Sequence, residues 1–258
     1  MAIIRIKSES MDLSDDYAFT GTVTGTPTEP AFKNLIINGD MSIAQRGTSV
    51  SFNSGGYKAL DRYTHTISGA GTFTVTQDTD VPNGQGFGKS LKMACTVSTS
   101  LSAGAYNTIE ITNEGQLLQH LKKGTSNAES VTMSFWVKSN KTGTYVLELR
   151  DRDNNRHISK TYTINSADTW EKKELTYEGD TVSGFDNDNN NSLSIFFWLG
   201  GGTTYTSGST PTSWSSQTSA NMGAGLTVNL ADSTSNYINF TGVQLEVGTS
   251  ASDFEFLP

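Results

Sequence analysis

Few residues in this sequence are spaced to ligate, attack or stack. Asp186-Asn-Asp188-Asn-Asn190 carries oxygen-bearing side chains at alternate positions, as the start of a calcium loop does. The sixth position of such a loop is Asn191 rather than glycine, and the twelfth is Phe197 rather than glutamate, so this is no EF-hand. Asp186, Asp188 and Asn190 stand as candidates for a weaker calcium site, with a fainter echo at Asp151 and Asp153. His65, His120 and His157 have no partner at catalytic or metal-binding spacing. Gly-x-Ser-x-Gly, His-Glu-x-x-His and phosphate-loop patterns are absent. Two carboxylates for glycoside hydrolysis could come from any of 26 acidic residues, and spacing nominates no pair. Cys95 is the only cysteine, which excludes an intrachain disulfide and a thiolate zinc site, and it reads as a small buried residue of a strand. No catalytic residues are expected, and no enzyme.

Stacking chemistry is better represented. Trp136, Trp170 and Trp198 lie in strand-like runs and read as core. Trp214 and Tyr205 lie instead in a Gly/Ser/Thr-rich stretch, residues 200–225, where no pattern buries them. Rings in such a loop can stack on the apolar face of a sugar while Ser, Thr and Asn bond its hydroxyls, so these two are the glycan-binding candidates.

The elements that must position these residues read as all-β. Turn signals recur at short intervals, among them Asn38-Gly39, Asn83-Gly84, Gly124 and Gly179-Asp180. Residues 34–40, 73–76, 131–137, 145–150, 156–162 and 239–247 read as strands, and 151–155 as a hairpin tip. Ser192 to Leu199 is nearly continuously apolar, as a strand covered on both faces would be. One short helix is expected over 113–124, with Leu117, Leu118 and Leu121 on its inner face and Gly124 as its stop, forming a lid over one end of the sandwich. Residues 3–7 read as a short strand, but the segment to residue 33 is poor in apolar residues and cannot form a core alone. The expected organisation is an extended arm, 1–33, and one domain, 34–258.

The 258 residues carry a formal net charge of −8, which argues against binding a nucleic-acid backbone. No apolar run reaches the ~18 residues of a membrane span, so no membrane insertion is expected. The first residues lack the order of a signal peptide, so synthesis in a cytoplasm is expected.

Asn34-Leu-Ile-Ile-Asn-Gly-Asp40, Ser134-Phe-Trp-Val-Lys138, Trp170 with Leu175-Thr-Tyr177, and Ile238-Asn-Phe240 through Leu245 resemble the strands of carbohydrate-binding modules of the family 4/9/22 type. The resemblance implies a jelly-roll β-sandwich. Where those modules carry an acidic pair on the closing strand, this chain has Thr241 and Gly242, so their structural calcium is not implied. Asn38-Gly-Asp-Met-Ser-Ile-Ala-Gln-Arg-Gly-Thr-Ser49, Asp61-Arg-Tyr63, Tyr162 to Asn165 and Gly242 to Gly248 resemble virion surface proteins of tailed bacteriophages, often described as tail-fibre-like. Residues 16–25 resemble their N-terminal attachment segments, and together these matches cover most of the chain. That resemblance implies a structural protein of the virion, made in the host cytoplasm. Its arm would meet capsid or tail proteins through Leu13, Tyr17, Phe19 and Val23. Capsid decoration is favoured slightly over a tail fibre, because the chain is short and has no shaft repeat. The same resemblance implies a homotrimer, with a host-surface glycan as an added partner. A free, lectin-like glycan-binding module is the alternative reading.

Overall fold

The computed structural model describes residues 33–256. The expected arm, with Leu13, Tyr17, Phe19, Val23 and the strand at 3–7, lies outside the described residues.

Among them, thirteen strands form two antiparallel sheets: β1 Ser49–Phe52, β2 Gly56–Tyr57, β3 Tyr63–Ser68, β4 Thr72–Asp78, β5 Ser90–Val97, β6 Tyr106–Glu114, β7 Val131–Ser139, β8 Gly143–Asp151, β9 Arg156–Ile164, β10 Glu171–Tyr177, β11 Asn191–Gly201, β12 Ser215–Ser216 and β13 Tyr237–Val247. One sheet has the order β1-β4-β5-β13-β7-β10, the other β12-β9-β8-β11-β6-β3-β2. This is the jelly-roll sandwich expected from the sequence. Alternation sets its core: β7 turns Met133, Phe135 and Val137 inward and β11 turns Leu193, Ile195, Phe197 and Leu199 inward, all buried. Phe135 meets Phe197 edge-on at 5.2 Å and Tyr162 of β9 at 5.1 Å, and Phe197 meets Phe240 of β13 at 4.9 Å. Aromatic pairs of this kind contribute about 0.5–1.5 kcal/mol each beyond their buried area. Cys95 is buried in the same core.

Two local expectations need correction. Residues 34–40 do not form a strand. The chain makes one strand-like bond, from Leu35 N–H to the Leu245 carbonyl (2.8 Å), and then turns. Asn38 takes a left-handed φ of 63° and its side chain knits the turn, donating to the Ile43 and Asp61 carbonyls. The residues at 113–124 are not an α-helix: β6 runs on to Glu114, and two 3-10 turns follow, Gly115–Leu117 and Gln119–Leu121. With three residues per turn, Leu118 and Leu121 share the inner side and Leu117 faces out. Gly115 is required there, since a Cβ would lie 2.0 Å from the Asp186 carbonyl. Among the described residues the one α-helical turn is elsewhere: α1, Thr203–Thr206.

The sheet edges are blunt. β12 and β2 have two residues each, and β10 carries the pairs Lys172–Glu174 (2.8 Å) and Lys173–Glu171 (2.6 Å). The described ends of the chain meet: the Glu255 carboxylate accepts from Lys33 N–H (3.1 Å) and Asn34 N–H (2.8 Å), beside β13.

His65 of β3 points into the core, fully buried, tilted against Phe52 at 4.7 Å, with neither ring nitrogen hydrogen-bonded. Burial, aided by Lys58, lowers its pKa from 6.5 to about 3. The unfolded chain then binds the extra proton, so stability falls as pH drops from about 6.5 toward 3, by about 1.4 kcal/mol per unit. His65→Leu is expected to abolish the loss between pH 6.5 and 5, where ordinary carboxylates stay ionised; urea denaturation at both pH values measures it.

Candidate functional site, a cleft on the outer face of the seven-stranded sheet

The alternation that sends Phe197 inward sends Ser194, Phe196 and Trp198 of β11 outward. Register places Glu110 of β6 and Glu148 of β8 on either side of Phe196, and Thr108 and Val146 on either side of Trp198. Glu110, Glu148, Phe196 and Trp198 are all buried, although they face away from the inter-sheet core. Their cover is the Gly/Ser/Thr-rich stretch. It is ordered by α1, by β12 and by a 3-10 turn at Ser219–Asn221, and Met222 and Tyr205 pack with Trp198, Phe196 and Val146 in a second apolar cluster. The continuous apolar run at 192–199 therefore has the cause expected of it, cover on both faces.

The cover stops short and leaves a cleft of about 320 Å³. Tyr106 and Tyr205, edge-to-face at 5.2 Å, form one half-buried wall, while Phe196 and Trp198 close the floor. Arg150 lies 4.3 Å above the Phe196 ring and Arg152 5.3 Å from it. Among the described residues neither the Tyr106 nor the Tyr205 hydroxyl has a hydrogen-bond partner, so both phenols are free to bond a ligand.

The charges below the cleft are matched. Glu148 accepts from Arg150 Nε (3.1 Å) and Nη2 (2.8 Å), from Trp198 Nε1 (3.0 Å), and pairs with His157 Nδ1 (2.9 Å). Burial works against its charge, but the His157 hydrogen bond and the Arg150 guanidinium outweigh burial and hold the carboxyl below its usual range. Glu110 accepts from Arg152 Nη2 (2.9 Å) and Ser194 Oγ (2.7 Å). Spacing nominates no acid pair for glycoside hydrolysis; of these two carboxylates, Glu110 lines the cleft and Glu148 lies beneath it. A general acid needs its pKa raised, and Glu148 is shifted the other way.

Of the two candidate rings, Tyr205 lines this cleft and Trp214 does not. Trp214 packs on the inter-sheet core, its Nε1 donates to the Glu178 carbonyl (2.8 Å), and its ring lies 5.1 Å from Lys123 Nζ. Lys123 is buried with Asp151 and Asp180, and Arg156 joins Asp180 at 2.6 Å, so Trp214 caps an ion cluster. The other tryptophans also depart from the core reading. Trp136 and Trp170 are half-buried on the outer face of the six-stranded sheet, and Trp170 Nε1 donates to Asp80 (3.0 Å). Trp198 is buried, but in the outer cluster. The histidines differ too: His157 has the Glu148 partner that spacing did not reveal, while His120 is exposed.

The calcium candidates are dispersed in their bonding. Asp188 accepts from the backbone and side-chain amides of Asn190, whereas Asp186 contributes its N–H to Asp153 Oδ2 (2.9 Å) and its carbonyl to Gln119. Among the described residues no three His, Cys, Asp or Glu side chains gather as a metal site. No helix among them is long and apolar enough to cross a membrane.

Trp214→Ala is expected to cost about 1–3 kcal/mol of stability, since it uncaps buried charge, while leaving the cleft's ligand affinity unchanged. Chemical denaturation and ligand titration of the same variant check both halves.

No family model matches the sequence, and no curated protein is similar to it. Solved structures with similar folds include the enzymatically active domain of tailspike protein 4 of bacteriophage CBA120, at 16% identity and a TM-score of 0.41, covering 83% of this chain and 21% of that one. This chain thus spans about a fifth of that tailspike. A putative sugar-binding protein of Bacteroides thetaiotaomicron gives 13% identity and a TM-score of 0.41 over 84% of this chain and 100% of its own. A family 4 carbohydrate-binding module gives 13% and 0.39, over 83% and 99%.

Proposed function

We propose that this chain is a non-catalytic glycan-binding sandwich displayed on the surface of a tailed-phage particle. The observation that carries the glycan-binding half is the cleft itself. Half-buried tyrosine rings with free hydroxyls stand over a floor whose arginines are already neutralised by Glu110 and Glu148. A sugar offers apolar ring faces to the aromatic wall and hydroxyls to the phenols and to the unengaged guanidinium protons. Titration calorimetry with neutral oligosaccharides and with host-surface polysaccharide tests it. Tyr205→Ala is expected to weaken binding about tenfold, roughly 1.4 kcal/mol, and Tyr205→Phe less. Unchanged affinity in Tyr205→Ala, or no binding by the wild type, overturns this half.

The virion half rests on the phrases that resemble phage surface proteins. In this reading residues 1–33 are the attachment arm, with Leu13, Tyr17, Phe19 and Val23 meeting capsid or tail proteins. Capsid decoration comes ahead of tail fibre, and a homotrimer is the displayed unit. Removal of residues 1–33 is expected to leave a cooperatively folding sandwich that no longer joins the particle. Normal incorporation of the truncated chain overturns the arm's role and favours the free, lectin-like module.

A further inference from the structure

The outer face of the six-stranded sheet has a groove of its own. Alternation turns Ser134 and Trp136 of β7 outward, with Lys172 of β10 opposite Trp136 on one side and Thr241 of β13 on the other. The chain after β13 folds back over this face. Glu246 accepts from Ser252 N–H (2.8 Å) and Oγ (2.7 Å), and Gln244 Oε1 accepts from Glu255 N–H (2.8 Å). Phe254 and Phe256 then close on Phe87 at 5.1 and 5.2 Å. Gly242, at φ 61°, is what lets Phe87 lie so near the sheet, since a Cβ there would come within 2.5 Å of the Phe87 ring. The segment from 249 to 256 and the loop carrying Phe87 thus cover only part of the face and leave a space of about 290 Å³ beside Trp136.

We infer that this groove is a second saccharide-binding site, on the face of the sandwich opposite the tyrosine-walled cleft. Rings border it on two sides: Trp136, half-buried, and Phe256, 49% exposed. Between them lie polar groups with no hydrogen-bond partner among the described residues, namely Trp136 Nε1, Ser134 Oγ, the Gln85 side-chain amide and the Asp253 carboxylate. An open aromatic face beside uncommitted donors and acceptors suits a pyranose, which stacks by one face and bonds through hydroxyls at its rim. The carboxylate can accept from two neighbouring hydroxyls at once. An anionic ligand fits poorly, because the charge of Lys172 is matched by Glu174 at 2.8 Å and that of Asp253 is unmatched. A neutral sugar is therefore the ligand class. The inference goes beyond the first cleft and stands without it.

The experiment follows the indole N–H resonances of the full chain, four in all, while cellohexaose, xylohexaose and maltohexaose are titrated in separately. Loss of a peak in Trp136→Ala assigns that signal, and the other three report whether the variant is folded. The expected result is a saturable shift of the Trp136 signal with at least one sugar. It persists in Tyr205→Ala and weakens at least fivefold in Phe256→Ala, a change at an exposed ring that leaves the core intact. A shift of Trp198 without Trp136 overturns the second site and leaves the first. A shift of Trp136 alone supports the second site and counts against the first. No shift of either signal overturns both.

Discussion

Phe197 is gripped between Phe135 and Phe240 in the space between the sheets, and this contact fixes the phase of both. Strand side chains alternate strictly, so a residue held inward dictates which way its neighbours point along the whole strand. With Phe197 inside, Phe196 and Trp198 must lie outside; with Phe135 inside, so must Ser134 and Trp136. The outward aromatics of both faces follow from one inward cluster. Slipping β11 by one residue would place Trp198 and Phe196 between the sheets and expose Phe197. It would also carry Ser194 and its bond to Glu110 into the core, away from any partner.

Outward aromatics on both faces create a second problem, because large rings left to water favour aggregation. The chain meets it twice by the same device, a returning segment that covers part of the face. Residues 202–226 lie over Trp198, and residues 249–256 with Phe87 lie beside Trp136. Each cover ends before the aromatic row does, and a groove remains at each boundary. Below the first groove the buried charges are balanced pair by pair. Glu148 alone engages Arg150, His157 and Trp198, which fixes the rings above it more firmly than apolar packing would.

Much of this was legible in the sequence where a single strand carries the information. The apolar run at 192–199 announced cover on both faces, and Asn38-Gly39 announced a turn. The run before that turn looked like a strand because its apolar residues are contiguous, yet Asn34 and Asn38 bond the backbone around them and bend it away from a ladder. The leucines at 117, 118 and 121 suit an α-helical face, but β6 runs on to Glu114 and Gly115 packs against the Asp186 carbonyl, a long-range contact that local spacing does not encode. His157 and Glu148 could have been joined, because the hairpin tip at 151–155 sets Arg150 opposite His157 and Glu148 opposite Ser159, all on one face. Glu110 and Trp198 could not, since they reach the same face through the order β8-β11-β6, which no local spacing encodes. The place of Trp214 was not legible because its immediate neighbours are Ser, Thr, Pro and Gln. Its partners, Lys123 and the Glu178 carbonyl, come from distant segments.

The meeting of the described ends has a mechanical consequence. Glu255 holds the N–H groups of Lys33 and Asn34, and Leu35 bonds Leu245 on β13, which lies between β5 and β7 in the interior of its sheet. A pull on the chain ahead of residue 33 enters the sandwich there. It loads a central strand bonded on both sides, so rupture requires several ladder bonds to fail together, whereas a pull on an edge strand would peel them one at a time. A load borne through its N-terminal side would enter at β13 and Glu255, beside the groove that Phe254 and Phe256 border and on the face away from the tyrosine-walled cleft.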